Sequence, residues 1–233
     1  QISIDCTKVR CIGRGLFITG TDTDVGKTYV TALLVKTLRS AGYDVGYYKA
    51  AISGARTVEE SDAGFVNRFA QICEPEDMLL SYLYQNAVSP HLAARIEGNP
   101  VEKDVIMSAW ERVTAAYPYV TMEGSGGIMC PIRHDEKAVC YLEDIIRWLR
   151  LPVLIVADAG LGTINRVVTT CEYIRRRNIS VKGIILNHWK GGVMEEDNVE
   201  MIEEITGMKV LARVKKGNTA LDIDPETIIS LYE

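Results

Sequence analysis

The sequence predicts an α/β protein whose mostly parallel sheet carries helices on both faces. Three observations support this reading. Short β-rich runs alternate with amphipathic stretches along the chain. The runs lack the polar alternation of a half-solvated strand, as expected for strands buried on both faces. A glycine-rich turn joins the first run to the first amphipathic stretch. In such a fold ligands lie in the crevice beyond the carboxyl ends of the strands, so function is sought just after each strand.

Taken in order, the expected strands are Leu16-Phe17-Ile18-Thr19, Val45-Gly46-Tyr47-Tyr48, Tyr119-Val120-Thr121-Met122, Val153-Leu154-Ile155-Val156, Gly183-Ile184-Ile185-Leu186 and Val210-Leu211-Ala212. Thr28 to Ala41 reads as a helix stopped by Gly42, and Leu142 to Arg150 as another, followed by Pro152. A third runs through Arg166 to Arg177. The piece from Ile52 to Pro118 reads as a helical insertion, which Pro75, Pro90 and Pro100 divide into about three helices. No linker, repeat or low-complexity tract interrupts the chain, so residues 1–233 are expected to form a single domain, with 1–14 as an N-terminal extension.

Composition narrows the function. With 233 residues, 47% of them hydrophobic, the chain can bury a sizeable core. Twenty-six Lys and Arg stand against 31 Asp and Glu, and the net charge of -5 offers no global field to attract nucleic acid or an acidic membrane surface. An anionic ligand must be held by local donors. The six cysteines, at 6, 11, 73, 130, 140 and 171, have no metal-ligand spacing and read as reduced, mostly buried thiols. The N-terminal stretch has no apolar signal region and no segment is long and apolar enough to span a bilayer, so the expected location is the cytoplasm.

After the first strand comes Gly20-Thr21-Asp22-Thr23-Asp24-Val25-Gly26-Lys27-Thr28, then a helix. Glycines let successive N–H groups turn inward at phosphate oxygens, the helix N-terminus adds a partial positive charge, and Lys27 supplies a full one. Thr28 then offers a hydroxyl to Mg²⁺. Five residues, not four, separate Gly20 from Gly26, so a strict Walker A pattern misses the loop. A capped strand-to-helix turn would explain the glycines but not a Lys-Thr pair at the helix start. The fold expectation thereby sharpens to a P-loop NTPase-like α/β domain.

This loop resembles that of the dethiobiotin synthetases, which carries the same extra residue. Further pieces follow in the order of that family: Tyr48 to Gly54 (YKAAISG), Ser61-Asp62-Ala63, Ser89 to Arg95 (SPHLAAR), Glu123 to Gly127 (EGSGG), Gly160 to Asn165 (GLGTIN) and Ile185-Leu186-Asn187. The resemblance covers roughly residues 15 to 190. Departures are Lys49-Ala50 for Lys-Pro, Asp24 for Glu, and Ser125 for Ala. In addition, Arg213-Val214-Lys215-Lys216 stands where the family tends to have a proline-containing loop beside the base.

The resemblance implies an ATP-dependent cyclo-ligase that joins 7,8-diaminononanoate and CO₂ into dethiobiotin, releasing ADP and phosphate, with Mg²⁺ as cofactor. It implies Lys49, Lys27 and Thr23 as catalytic, and Thr28, Asp62 and Glu123 as metal ligands. ATP would meet Asp24, Val25, Gly26, Lys27, Thr28, Tyr29, Asp62, Glu123, Gly124, Ser125, Gly126, Asn187 and His188. Thr23, Lys49 and Ser53 would meet the diamine, and Gly162, Thr163 and Asn165 its far carboxylate across a homodimer. The residues alone leave other roles open: a helix N-cap at Ser61-Asp62, a surface lysine at 49, a solvated strand-end acid at 123, and turn or capping residues at Thr23, Asp24, Ser53 and Asn187. His91 carries no catalytic expectation.

The alternative is a partition or cell-division ATPase, a regulatory binding protein with a lysine early in the loop. No lysine lies between Gly20 and Gly26, and the C-terminal segment Pro225 to Glu233 is not basic. An amidating synthase of cobalamin precursors would need a glutaminase domain for which the chain has no room.

Overall fold

The computed structural model describes residues 14–233. Cys6, Cys11 and all of the expected extension except Arg14 lie outside the described residues. Strand β1 (Arg14–Gly20) leads into helix α1 (Lys27–Ser40) and then β2 (Val45–Ser53). Next come α2 (Asp62–Phe69), α3 (Glu76–Leu79), β3 (Leu80–Tyr84), α4 (Pro90–Glu97), α5 (Lys103–Ala116) and β4 (Tyr119–Gly127). β5 (Pro131–His134) and β6 (Val139–Tyr141) form a small antiparallel hairpin. The chain then runs through α6 (Leu142–Leu149), β7 (Val153–Asp158), α7 (Thr163–Arg175), β8 (Val181–Asn187), α8 (Val193–Thr206), β9 (Val210–Arg213) and α9 (Pro225–Ile229).

Seven strands pair in the order β3-β2-β4-β1-β7-β8-β9, each pair parallel. Leu16, Phe17 and Ile18 of β1 and Val153 to Ala157 of β7 have no exposed surface, which is why these strands read as unbroken apolar runs. From β1 the chain first moves to β2 on one side and later, through β7, to the other. The direction of winding therefore reverses at β1, and the crevice beyond its carboxyl end is where a parallel sheet opens to a ligand.

The insertion differs from its expectation. β2 runs on to Ser53, and residues beyond it contribute β3, an edge strand pairing with β2, as well as four helices. In Leu80-Ser81-Tyr82-Leu83-Tyr84 the alternate residues Leu80, Tyr82 and Tyr84 are buried, a period of two within a stretch bounded by Pro75 and Pro90. α7 begins at Thr163, earlier than expected, with Gly162 as its N-cap in a left-handed conformation (φ 87°) and no side-chain cap. Thr163 is already the first helical residue, so it does not fill the capping position, and Asn165 is exposed two residues on. The described cysteines 73, 130, 140 and 171 are all free thiols; Cys140 and Cys171 are buried, whereas Cys73 is exposed. No described helix is long and apolar enough to cross a membrane.

Candidate active site

The loop after β1 takes its shape from two residues with positive φ, Asp24 (59°) and Gly26 (78°). Gly26 is also the N-cap of α1, and a Cβ there would lie 2.0 Å from the Asn187 amide nitrogen. The turn therefore needs glycine both for its conformation and for the approach of β8. Asn187, buried at the carboxyl end of β8, donates its amide to the Val25 carbonyl at 3.0 Å and so ties the loop to the sheet. Around the loop opens a cleft of about 390 Å³, lined by Asp22 to Thr28, Lys49, Ile52, Ser53, Asp62, Ser125 and Gly126.

At the floor of the cleft lies a cluster of charges. Glu123 is 1% exposed, and its Oε1 accepts hydrogen bonds from Thr28 Oγ1 (2.7 Å), Lys49 Nζ (3.0 Å) and Lys27 Nζ (3.2 Å). Lys49 also donates to Asp62 Oδ2 at 2.6 Å. Two carboxylates thus meet two ammonium groups, and the cluster is internally neutral, the condition under which buried charge is tolerable. Burial opposes ionisation of Glu123, but Lys49, Lys27 and the Thr28 hydroxyl outweigh it and bring its pKa down to about 2. Burial also acts against the Lys49 cation, yet Glu123 and Asp62 hold its pKa above the ordinary value. Lys27 differs: burial and then the neighbouring Lys49 charge lower it. Of the two lysines Lys27 is the less firmly held, as the longer contact indicates.

The two strands that supply the cluster extend further than expected. Lys49 lies inside β2, paired with Glu123 inside β4, and neither ends its strand. At 2% exposure Lys49 is not a surface lysine, and Glu123 is not a solvated acid. The cap reading of Ser61 holds, its side chain accepting from Gly64 N at the start of α2, while Asp62 turns to Lys49. Ser53 lines the cleft and donates its hydroxyl to the Val88 carbonyl at 2.6 Å, so its oxygen keeps acceptor capacity. Thr23 is exposed on the loop, its N–H bonded to Asp22 Oδ1 at 2.8 Å.

Other expected residues do not line the cleft. Gly124 packs in the core, where a Cβ would come within 2.9 Å of Phe17 and Leu142. Tyr29 donates its hydroxyl to the Asn218 carbonyl, in the segment after Lys215-Lys216. His188, with φ 58°, bonds Asp158 Oδ2 through Nδ1 at 2.6 Å, beside Gly26. Gly162, Thr163 and Asn165 stand at the carboxyl end of β7, where Thr163 Oγ1 is buried without a partner. Sequence reasoning missed Ile52 and Asp22, which line the cleft, and Tyr47, which touches Glu123 from below. The signal for Tyr47 was its place two residues before Lys49 on one strand, which puts both side chains on one face.

A family model described as an AAA domain matches residues 14–220. An ATP-dependent dethiobiotin synthetase of Brachyspira hyodysenteriae is 47% identical over 223 residues, 95% of this chain and 100% of that protein. A Clostridium kluyveri synthetase of the same name is 41% identical over 93% of this chain and 92% of its own length. The chain belongs to the dethiobiotin synthetase family.

Membership makes it a P-loop enzyme, a ligase of biotin biosynthesis that uses ATP. Among solved structures, a ParA family ATPase from Chlorobium tepidum superposes with a TM-score of 0.52 at 15% identity, over 94% of this chain and 89% of that one. A MinC:MinD cell division complex from Aquifex aeolicus gives 0.55 at 17% identity, over 88% and 82%. At such identities the likeness establishes the fold alone. It places the synthetase on the same scaffold as these two proteins.

Proposed function

We propose that the enzyme closes the cyclic urea of dethiobiotin on 7,8-diaminononanoate, using CO₂ and Mg-ATP, as a homodimer. The observation that carries this reading is the cluster of Lys27, Lys49, Asp62 and Glu123, with Lys49 and Glu123 buried, at the floor of a P-loop cleft. One amine of the diamine takes up CO₂ and loses a proton to give a carbamate. A carbamate oxygen attacks the γ-phosphorus and ADP leaves. The second amine then attacks the carbonyl of the mixed anhydride, closes the ring and expels phosphate.

Lys27 would leave Glu123 for the β- and γ-phosphates, an exchange favoured by its weak hold in the cluster. Lys49, held between two carboxylates, would stay in place as a fixed cation beside the carbamate and the transferred phosphoryl group. Thr23, and the lone pairs of Ser53, would orient the diamine in the cleft.

Two carboxylates and a hydroxyl, from Asp62, Glu123 and Thr28, are a sufficient protein donor set for Mg²⁺, which takes its other ligands from water and phosphate. Bound there, the ion would supply charge neutralisation on the phosphate oxygens. Asn187 and His188 would contact ATP from the end of β8. The test is incubation of the protein with the diamine, bicarbonate, Mg²⁺ and ATP, with dethiobiotin measured by mass spectrometry. ATP hydrolysis stimulated by DNA or lipid but indifferent to the diamine would overturn the proposal.

A further inference from the structure

The two oxygens of Glu123 have different partners. Oε1 faces the cleft and collects Thr28, Lys27 and Lys49. Oε2 faces away from it and accepts one bond, from the Tyr47 hydroxyl at 2.8 Å. Tyr47 is 1% exposed, two residues before Lys49 on β2, and its register partner on β4 is Thr121, two residues before Glu123. Phenol and carboxylate therefore project from the same face of the sheet, with strands fixing both ends of the bond.

Two of the three partners on the cleft side, Lys27 and Thr28, are those that nucleotide and its cation would claim. Lys27 is needed on phosphate and the Thr28 hydroxyl on the cation, whereas Tyr47 lies below the floor and has no other role to take up. A buried carboxylate left with one oxygen unpartnered costs the full desolvation of that oxygen, so the Tyr47 bond persists through that change.

We infer that Tyr47 is a positioning residue for the metal site: it fixes the plane of the Glu123 carboxylate so that Oε1 is presented toward Thr28 and the cation. The inference rests on the Mg²⁺ reading given under Proposed function. Partners of this kind behind a ligating carboxylate set metal affinity, and their loss typically weakens binding about 10- to 100-fold.

The test is Tyr47→Phe, which keeps the ring and removes the hydroxyl. Mn²⁺ serves as the probe, bound to the protein with a non-hydrolysable ATP analogue and followed by the loss of its free-ion electron paramagnetic resonance signal. About 10-fold weaker Mn²⁺ binding is expected, with analogue affinity in EDTA unchanged. In a Glu123→Gln background the same Tyr47 change should have no further effect on Mn²⁺. A residue that only filled space would lower the melting temperature and leave Mn²⁺ affinity alone, and affinity within twofold of the wild type in a folded variant overturns the inference.

A second measurement covers loss of folding. With 3-fluorotyrosine at position 47, the fluorine resonance should shift on adding Mg²⁺ and the analogue, and should not shift in Glu123→Gln. A resonance that stays unmoved with Glu123 intact, or that shifts equally in Glu123→Gln, counts against Tyr47. If wild-type protein binds the analogue without retaining Mn²⁺, the metal reading itself fails, an outcome distinct from a variant that matches wild type.

Discussion

Lys27 and Lys49 share one carboxylate oxygen, yet they are held differently, and removing each should do different things. For Lys27→Ala the fold is expected to survive, because Glu123 keeps Lys49, Thr28 and Tyr47. Turnover should fall by about 10²-fold or more, the scale for losing one electrostatic contact to the transferred group. Near-normal turnover would remove Lys27 from the mechanism. Lys49→Ala should lower kcat by a larger factor than it raises the KM for ATP, since its cation is placed for the carbamate rather than the ground-state nucleotide. It should also cost stability, because two carboxylates lose their shared partner. Glu123 adds a pH dependence. Its pKa falls from 4.5 to about 2 on folding, which is worth about 3 kcal/mol. For a depressed carboxylate that stabilisation is fully present above pH 4.5 and is lost as pH falls toward 2. Urea midpoints measured between pH 5 and 2.5 should therefore decline on acidification in the wild type, and less steeply in Glu123→Gln.

At the scale of elements, the loop between β1 and α1 depends on Gly26. Gly26→Ala places a methyl at φ 78° and 2.0 Å from the Asn187 amide, so either the loop or the end of β8 must shift. The expected result is a drop of at least tenfold in ATP affinity by calorimetry, with a smaller loss of stability; unchanged affinity would show that the loop tolerates the displacement. The elements legible in the sequence were those with one dominant signal. β1, β7 and β8 read as apolar runs because both faces are covered, and the P-loop reads from composition because its conformation needs glycine. β3 was not legible: five residues with alternating burial between prolines resemble loop as much as strand, and pairing with β2, far off in sequence terms, decides the matter. In the site, Thr28 and Lys27 announced themselves through the loop. Lys49, Asp62 and Glu123 needed the family pattern, since their meaning comes from strands and a helix that only the fold brings together. Tyr47 had no local mark beyond its spacing from Lys49.

Across the whole molecule, the start of α7 is the part of the expected substrate site that lies outside the cleft. It stands beyond the end of β7, and Asn198 of α8 ties itself to that turn by donating to the Ala159 carbonyl at 3.0 Å. Leu161 on the turn is 84% exposed and Val193 at the start of α8 is 89% exposed, an apolar edge of the kind a second copy would cover. In the homodimer we propose, the N–H groups at the start of α7 receive the carboxylate of a diamine seated in the neighbouring subunit's cleft. The proposal can be tested by mixing subunits. Asn165→Asp places a negative charge in the first turn of α7, which suits the helix itself but repels a ligand carboxylate. Its melting temperature should hold while the KM for the diamine rises. When Asn165→Asp and Lys49→Ala chains are exchanged at equal amounts, half of the dimers are mixed. Each mixed dimer has one site with both groups intact, so activity should recover to about a quarter of the wild-type value. If the two groups served the same subunit, every site would carry one defect or the other and mixing would recover nothing; a fully active monomer by light scattering would exclude the shared site as well.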